Sequence, residues 1–210
     1  MELYLLILIS SACVLLTEVL KRKLSLSTSL TRRVVHVTTA SVAAIAPFFV
    51  SETEIIIVSL VFAVALLWSR SHKVLTSIHS VERKTYGEVW LPLGVAIAAF
   101  LFLPDSVSAF QFGVLVMGIS DPLAGLTGDL IGKHRIRFLN SIKTVEGSAA
   151  FFISTLLLTS LFVPVFGYHL LLIPLLLMVV EFVLIYGLDN LVLPVVAASC
   201  IKFISELPPF

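Results

Sequence analysis

VSAFQFGVLVMGISDPLAGLTGDLIG, residues 107–132, decides what kind of protein this is. Its first half, to Ser120, is apolar; its second half opens on a carboxylate, Asp121, and carries Gly125, Gly128 and Gly132. Taken as a helix at about 100° per residue, Gly118, Asp121, Ala124, Gly125, Gly128 and Gly132 share one face. That face is a smooth groove holding an anion. Stripes of small residues let membrane helices approach closely, but packing requires no carboxylate. An ionised side chain in a membrane helix costs about 2.5–3.5 kcal/mol on insertion scales, so it marks function by default.

The rest of the chain agrees with a bilayer setting. Of 210 residues, 59% are hydrophobic and 13% charged, about half the charge content of soluble domains. Apolar runs fall at 3–20, 34–50, 55–68, 89–103, 107–120, 148–163 and 168–186, with a shorter one at 191–204. Several approach the roughly 20 residues that cross a bilayer as helix. The expectation is an all-α, polytopic helical bundle of seven or eight spans, residues 1–210 forming one integral membrane domain. A net charge of +1 and the lack of a basic tail give no reason to expect nucleic acid. Cys13 and Cys200 sit in apolar runs without metal-ligand spacing and read as small buried hydrophobes.

Charge placement sets the expected orientation. Lys21, Arg22, Lys23, Arg32 and Arg33 follow the first run, and Arg70, Lys73, Arg83 and Lys84 the third. Lys133, Arg135, Arg137 and Lys143 follow the fifth, leaving Lys202 elsewhere. Thirteen of fourteen basic residues thus share one side, which the positive-inside rule makes cytoplasmic, with the N-terminus outside. Glu18, His36, Glu82, Glu88, Asp121, Asp129, Glu146, Glu181 and Asp189 then fall in the cytoplasmic half or its loops. An ion pathway needs polar groups spread through the membrane. One-sided clustering suits an enzyme that takes a soluble substrate from the cytoplasm and a lipid from the bilayer.

Pro122 lacks an N–H and suits the first position of a helix, so Asp121 is expected as an N-cap where the span breaks. A break there brings backbone N–H groups to an anion site. The second motif is Lys143-Thr144-Val145-Glu146-Gly147. Read as helix, Lys143 and Glu146 are neighbours on one face, with Ser141 and Thr144 supplying hydroxyls. A plain capped helix start is the competing reading. Two carboxylates and several cations, Lys133, Arg135, Arg137 and Lys143, are what a metal-bound nucleoside triphosphate needs. No Walker pattern occurs, so a P-loop is excluded.

Asp121-x-x-Ala124-x-x-x-Gly128-x-x-x-Gly132 followed by Lys143-Thr144-x-Glu146-Gly147 resembles the CTP-binding signature of the dolichol kinase and phytol kinase family. Arg33-x-x-His36, Gly87-Glu88 with Pro92, and Glu181 with Asp189-Asn190 and Pro194 resemble its other elements, in the same order. Ile136 stands where the family has an aromatic, with Phe138 nearby. The compact length resembles the phytol, farnesol or geranylgeraniol kinase-like members.

The resemblance implies CTP- and Mg²⁺-dependent phosphorylation of a prenyl or related lipid alcohol, of phytol, farnesol, geranylgeraniol or dolichol type, with release of CDP. It implies catalytic roles for Asp121, Lys143, Glu146, Asp189, His36 and Glu181. The nucleotide would meet Asp121, Ala124, Gly125, Gly128, Gly132, Lys133, Lys143, Thr144, Glu146, Gly147, Arg33 and Asn190, with Asp121 and Glu146 holding the metal. From the residues alone, His36 is a polar tip at a helix end, Arg33 an orientation signal or phosphate clamp, and Glu181 a buried carboxylate that must be paired, protonated or metal-linked. A CTP-dependent lipid-phosphate cytidylyltransferase is the neighbouring reading, but the long signature of phosphatidate cytidylyltransferases is absent. A small transporter or structural membrane protein requires polar groups through the membrane depth and an internal repeat, and neither is visible.

Overall fold

The structure, a computed structural model, describes residues 2–72, 74–75, 78, 85–139, 141–163 and 168–206. Lys73, Glu82, Arg83 and Lys84 lie outside the described residues. The chain begins with three helices, α1 (Glu2–Leu24), α2 (Thr28–Ile45) and α3 (Glu52–His72). After α4 (Gly87–Phe102) and α5 (Val107–Leu115), a π-helical turn over Val116–Ser120 leads into α6 (Asp121–Ile131). Strands β1 (Arg135–Phe138) and β2 (Ser141–Thr144) follow, then α7 (Val145–Phe162), α8 (His169–Val183) and α9 (Asp189–Ser205).

Local chemistry sets several of these boundaries. Ser27 caps α2, its Oγ accepting from the Leu30 N–H at 3.3 Å. Ser51 and Glu54 form a capping box at α3: the Ser51 N–H donates to Glu54 Oε2 at 2.8 Å and the Glu54 N–H to Ser51 Oγ. Ser106 caps α5 by accepting from the Ala109 N–H at 3.2 Å.

The core centres on α5. Ala109, Phe110, Phe112, Val114, Val116 and Met117 have no exposed surface, and neither do Phe151 of α7, Leu177 of α8 and Leu193 of α9. Close backbone approach makes this possible: a Cβ on Gly94 or Gly113 would collide with the carbonyl oxygens of Asn190 and Pro194 on α9. The short run at 191–204 is therefore a deeply packed helix. By contrast, α1 and α3 turn large apolar side chains outward, Leu5, Leu8 and Leu15 on one and Ile57, Val61 and Val64 on the other. Among the described residues, four helical stretches, Glu2–Leu24, Glu52–His72, Val107–Ile131 and Val145–Phe162, are long and apolar enough to cross a membrane. Their exposed apolar faces are those of a membrane protein.

Two expectations are corrected. The chain is mostly helical but not all-α, because β1 and β2 pair as an antiparallel hairpin, Arg135 opposite Thr144 and Phe138 opposite Ser141. Nor does the span break at Asp121. The backbone stays helical through Ser120 and Asp121, and the Asp121 N–H reaches back to the Val116 carbonyl. Pro122 explains the wider turn: it has no N–H for the preceding turn, and its ring crowds the carbonyl four residues back. One π turn absorbs that conflict without ending the helix. Asp121 is then part of a continuous rod rather than a cap on a new one.

Candidate functional site

At the hairpin end, α2, α6, β2, the end of α8 and the start of α9 surround a cavity of about 690 Å³. That is within the size range of small-molecule sites. Its lining holds four cations, Arg32, Arg33, Arg135 and Lys143, and four carboxylates, Asp121, Asp129, Glu181 and Asp189.

The small residues of the α6 face do three different jobs. Gly118 admits Ala40 of α2, whose Cβ a side chain there would strike. Gly125 lies under the Arg33 guanidinium; a Cβ would come within 2.7 Å of Nη2. Arg33 Nη1 in turn donates to Asp129 Oδ2 and to Ser29 Oγ, each at 2.7 Å. Gly128 and Gly132 face Thr144, with Thr144 Oγ1 2.8 Å from a Cβ placed on Gly128. From the other motif, Gly147 meets the Ala124 carbonyl oxygen at 2.8 Å by the same measure. The two motifs are thus the two sides of one seam.

At that seam the strand carries the cation inward. Lys143 lies in β2 and makes an ion pair with Glu181, and its Nζ also donates to the Glu181 carbonyl at 3.1 Å. The buried Glu181 is therefore paired. Burial works against the charge on Lys143, but the carboxylates of Glu181, Asp121 and Asp189 outweigh it and hold the ammonium pKa above its usual range. Asp121 lines the same cavity and accepts no hydrogen bond among the described residues.

Lys143 and Glu146 are not neighbours on a helix face, which corrects that expectation. Thr144 intervenes with extended backbone (φ −123°, ψ 147°), its Oγ1 accepting from the Gly147 N–H at 3.0 Å to cap α7. The turn from strand to helix sends Glu146 to His134, 2.7 Å from Nδ1, where it also accepts from the His134 N–H. Glu146, Lys133 and Gly132 do not line the cavity, whereas Asp121, Ala124, Gly125, Gly128, Lys143, Thr144 and Gly147 do.

The last wall joins α8 to α9. Tyr186 (φ 59°) and Gly187 (φ 84°) take left-handed backbone, and a Cβ on Gly187 would lie 2.6 Å from Gly87 Cα. The start of α9 thereby rests on the start of α4, fixed by Asn190 Nδ2 donating to the Gly87 carbonyl at 2.8 Å. Asp189 and Asn190 both line the cavity. The Gly87-Glu88 element supports this wall rather than lining the carboxylate cluster: Glu88 pairs with Arg70, which lies over the Tyr86 ring, 4.2 Å from its centroid. His36, 7% exposed on α2, lines the cavity with its Nε2 unpartnered among the described residues.

Asp129 escaped the sequence reading as a site residue. The available signal was its place two turns beyond Asp121 on one helix, next to Gly128. Its partner Arg33 is 96 residues away, which no local pattern reveals.

Comparison with known proteins adds two relatives. The chain is 32% identical over 160 residues to a phytol kinase of Synechocystis, a match spanning 74% of this chain and 68% of that protein. It is 36% identical over 118 residues to an uncharacterized protein of Methanocaldococcus jannaschii, spanning 55% and 58% respectively. No family model matches the chain, and no solved structure matches it significantly.

Proposed function

The chain belongs to the phytol kinase family, and from that membership we propose that it moves the γ-phosphoryl group of CTP to the hydroxyl of a prenyl alcohol in the membrane. The observation that carries this reading is the charge left over in the cavity. Lys143 is paired with Glu181, and Arg33 with Asp129. Arg32 and Arg135 remain without an ion partner among the described residues, as do the carboxylates of Asp121 and Asp189. Two free cations and two free carboxylates around one space match a triphosphate carrying a divalent metal.

Mg²⁺ is usually held by one or two carboxylates together with phosphate oxygens rather than by an all-protein cage. Asp121 and Asp189 fit that mode. When bound, the ion supplies neutralisation of phosphate charge. Arg32, Arg135 and Lys143 are assigned to the phosphate oxygens, and the continuous α6 wall with its glycines to the nucleotide. Catalysis of this kind is mostly positioning and electrostatics. CTP as donor rests on the motif resemblance, and a cytoplasmic site with the N-terminus outside rests on the one-sided basic residues.

The test is purified protein in lipid with CTP labelled at the γ-phosphate, Mg²⁺, and a panel of farnesol, geranylgeraniol, phytol, a dolichol and diacylglycerol. Label is expected in an organic-extractable product with at least one prenyl alcohol. Label released as pyrophosphate when lipid phosphates replace the alcohols would overturn the kinase reading in favour of a cytidylyltransferase.

A further inference from the structure

We propose that the acceptor's prenyl chain lies in a second, apolar cavity between α1, α2, α3 and α4, with His36 at its mouth receiving the hydroxyl proton. This rests on the kinase reading. The cavity, about 100 Å³, is lined by Leu6 and Val14 of α1, Val42 and Ala43 of α2, Phe62 of α3 and Val95 of α4, among others. Along α2 it runs from Arg32 to Ala46, about 21 Å by helical rise, against a hydrocarbon core of about 30 Å. It is a narrow slot running alongside α2.

Three residues, Arg32, His36 and Asn190, line both this slot and the charged cavity. They mark the depth at which apolar lining gives way to phosphate-binding chemistry. A lipid alcohol must place its hydroxyl there to meet a triphosphate. Two buried polar atoms at this junction have no partner among the described residues, His36 Nε2 and Asn190 Oδ1. Buried polar atoms left unpaired are costly, and a hydroxyl held at the junction supplies what they lack. Glu181 is occupied by Lys143, and Glu88, the carboxylate that lines the slot itself, by Arg70; that leaves His36, with the charges of Asp189 and Arg32 near it, as the base next to the slot.

The narrow slot also identifies the wall that moves. α1 packs mainly on α2 and exposes most of its apolar surface, so it parts from α3 to admit a branched chain from the bilayer. In the transfer step the alcohol oxygen forms a bond to the γ-phosphorus as its proton passes to neutral His36. The bond from that phosphorus to the bridging oxygen breaks, and the nucleoside diphosphate leaves with the electron pair.

The experiment uses the full chain in lipid nanodiscs and two readouts. A diazirine-bearing geranylgeraniol analogue is photo-crosslinked and mapped by mass spectrometry. Crosslinks are expected on the slot faces of α1, α2 and α3; crosslinks confined to α7 and α8 would overturn the placement. In the kinetic arm, Ala43→Phe is expected to shift the ratio of kcat/KM for geranylgeraniol over geraniol about tenfold toward the shorter alcohol. His36→Gln is expected to lower kcat about a hundredfold and remove the acid limb of the pH–kcat profile, with KM for CTP unchanged. Equal loss for both alcohols, or a retained acid limb, would overturn the assignment. Should Ala43→Phe fail to fold, Ala46→Leu at the far end of the slot asks the same question. Slot crosslinks without phosphoryl transfer by the wild-type chain would uphold the slot and overturn the kinase reading instead.

Discussion

At the hairpin end of the bundle four cations and four carboxylates line one cavity, whereas at the opposite end Lys202 of α9 and Asp105 pair on an exposed rim. The same helices run between both ends, so the difference lies in how charge is held. At the rim, the pair is satisfied by its own partner and by water. In the cavity, the buried pair of Lys143 with Glu181 braces β2 against α8, and the more exposed pair of Arg33 with Asp129 links α2 to α6. Around that brace stand charges with no ion partner among the described residues. These are the charges that the proposed triphosphate and its metal would pair.

The strongest way to break this comparison is to remove one of the unpartnered carboxylates. Asp121→Asn is expected to reduce turnover about a thousandfold, the scale for losing one preorganised electrostatic group. Because Asp121 accepts no hydrogen bond among the described residues, the variant should insert and fold normally. Steady-state kinetics beside a circular-dichroism melt would check both halves. Near-normal turnover would show that the free charges have no part in the chemistry.

A second substitution separates brace from chemistry. Lys143→Met leaves Glu181, 5% exposed in its side chain, buried without its cation, a loss of about 3–5 kcal/mol. The double variant Lys143→Met/Glu181→Met is expected to regain most of that stability, since a packed apolar pair often replaces a buried ion pair without penalty. It should stay inactive if the ammonium has the phosphate-binding role proposed above. Denaturant unfolding in detergent gives the first result and the transfer assay the second. A double variant that recovers activity would reduce Lys143 to a structural cation.

How much of this was legible in sequence follows from the range of each interaction. Helices are held by bonds four residues apart, so apolar runs such as 55–68 and 148–163 mark Glu52–His72 and Val145–Phe162 closely. The Asp121 face was legible for the same reason, being a property of one helix. The hairpin was not. Arg135-Ile136-Arg137-Phe138 is mostly exposed and only four residues long, so its cations read as loop charge. Its inner anchor, the Phe138 ring against Phe182 with centroids 5.6 Å apart, joins residues distant in sequence. The π turn depends on Pro122 meeting a rod that tertiary packing keeps straight, and the pairs of Lys143 and Arg33 span 38 and 96 residues. Local pattern carries the elements; the charge cluster exists only once the chain is folded.

That distinction yields a sharper test on Glu146. Spacing and family resemblance rank it with Asp121, whereas the fold gives its carboxylate to His134 outside the cavity. Glu146→Gln keeps a hydrogen-bond acceptor for the His134 backbone and should cost only about threefold in turnover, the scale of a weakened supporting contact. A loss as large as that of Asp121→Asn would mean that the hairpin closes on the nucleotide and carries Glu146 inward. Measuring KM for CTP in both variants distinguishes the cases, because closure would couple Glu146 to nucleotide binding.

The smallest effect belongs to the opposite end. Lys202 and Asp105 have side chains 32% and 60% exposed, and a pair that water can reach contributes little because each charge is nearly as well solvated alone. Lys202→Ala should leave turnover unchanged and shift thermal unfolding by no more than about 2 °C. The variant controls for charge removal as such: it deletes a cation from α9, the helix that begins at Asp189, without touching the cavity. If turnover fell with Lys202, the two ends would be coupled through α9, and loss of activity at Asp121 or Lys143 could no longer be assigned to the charges that line the cavity.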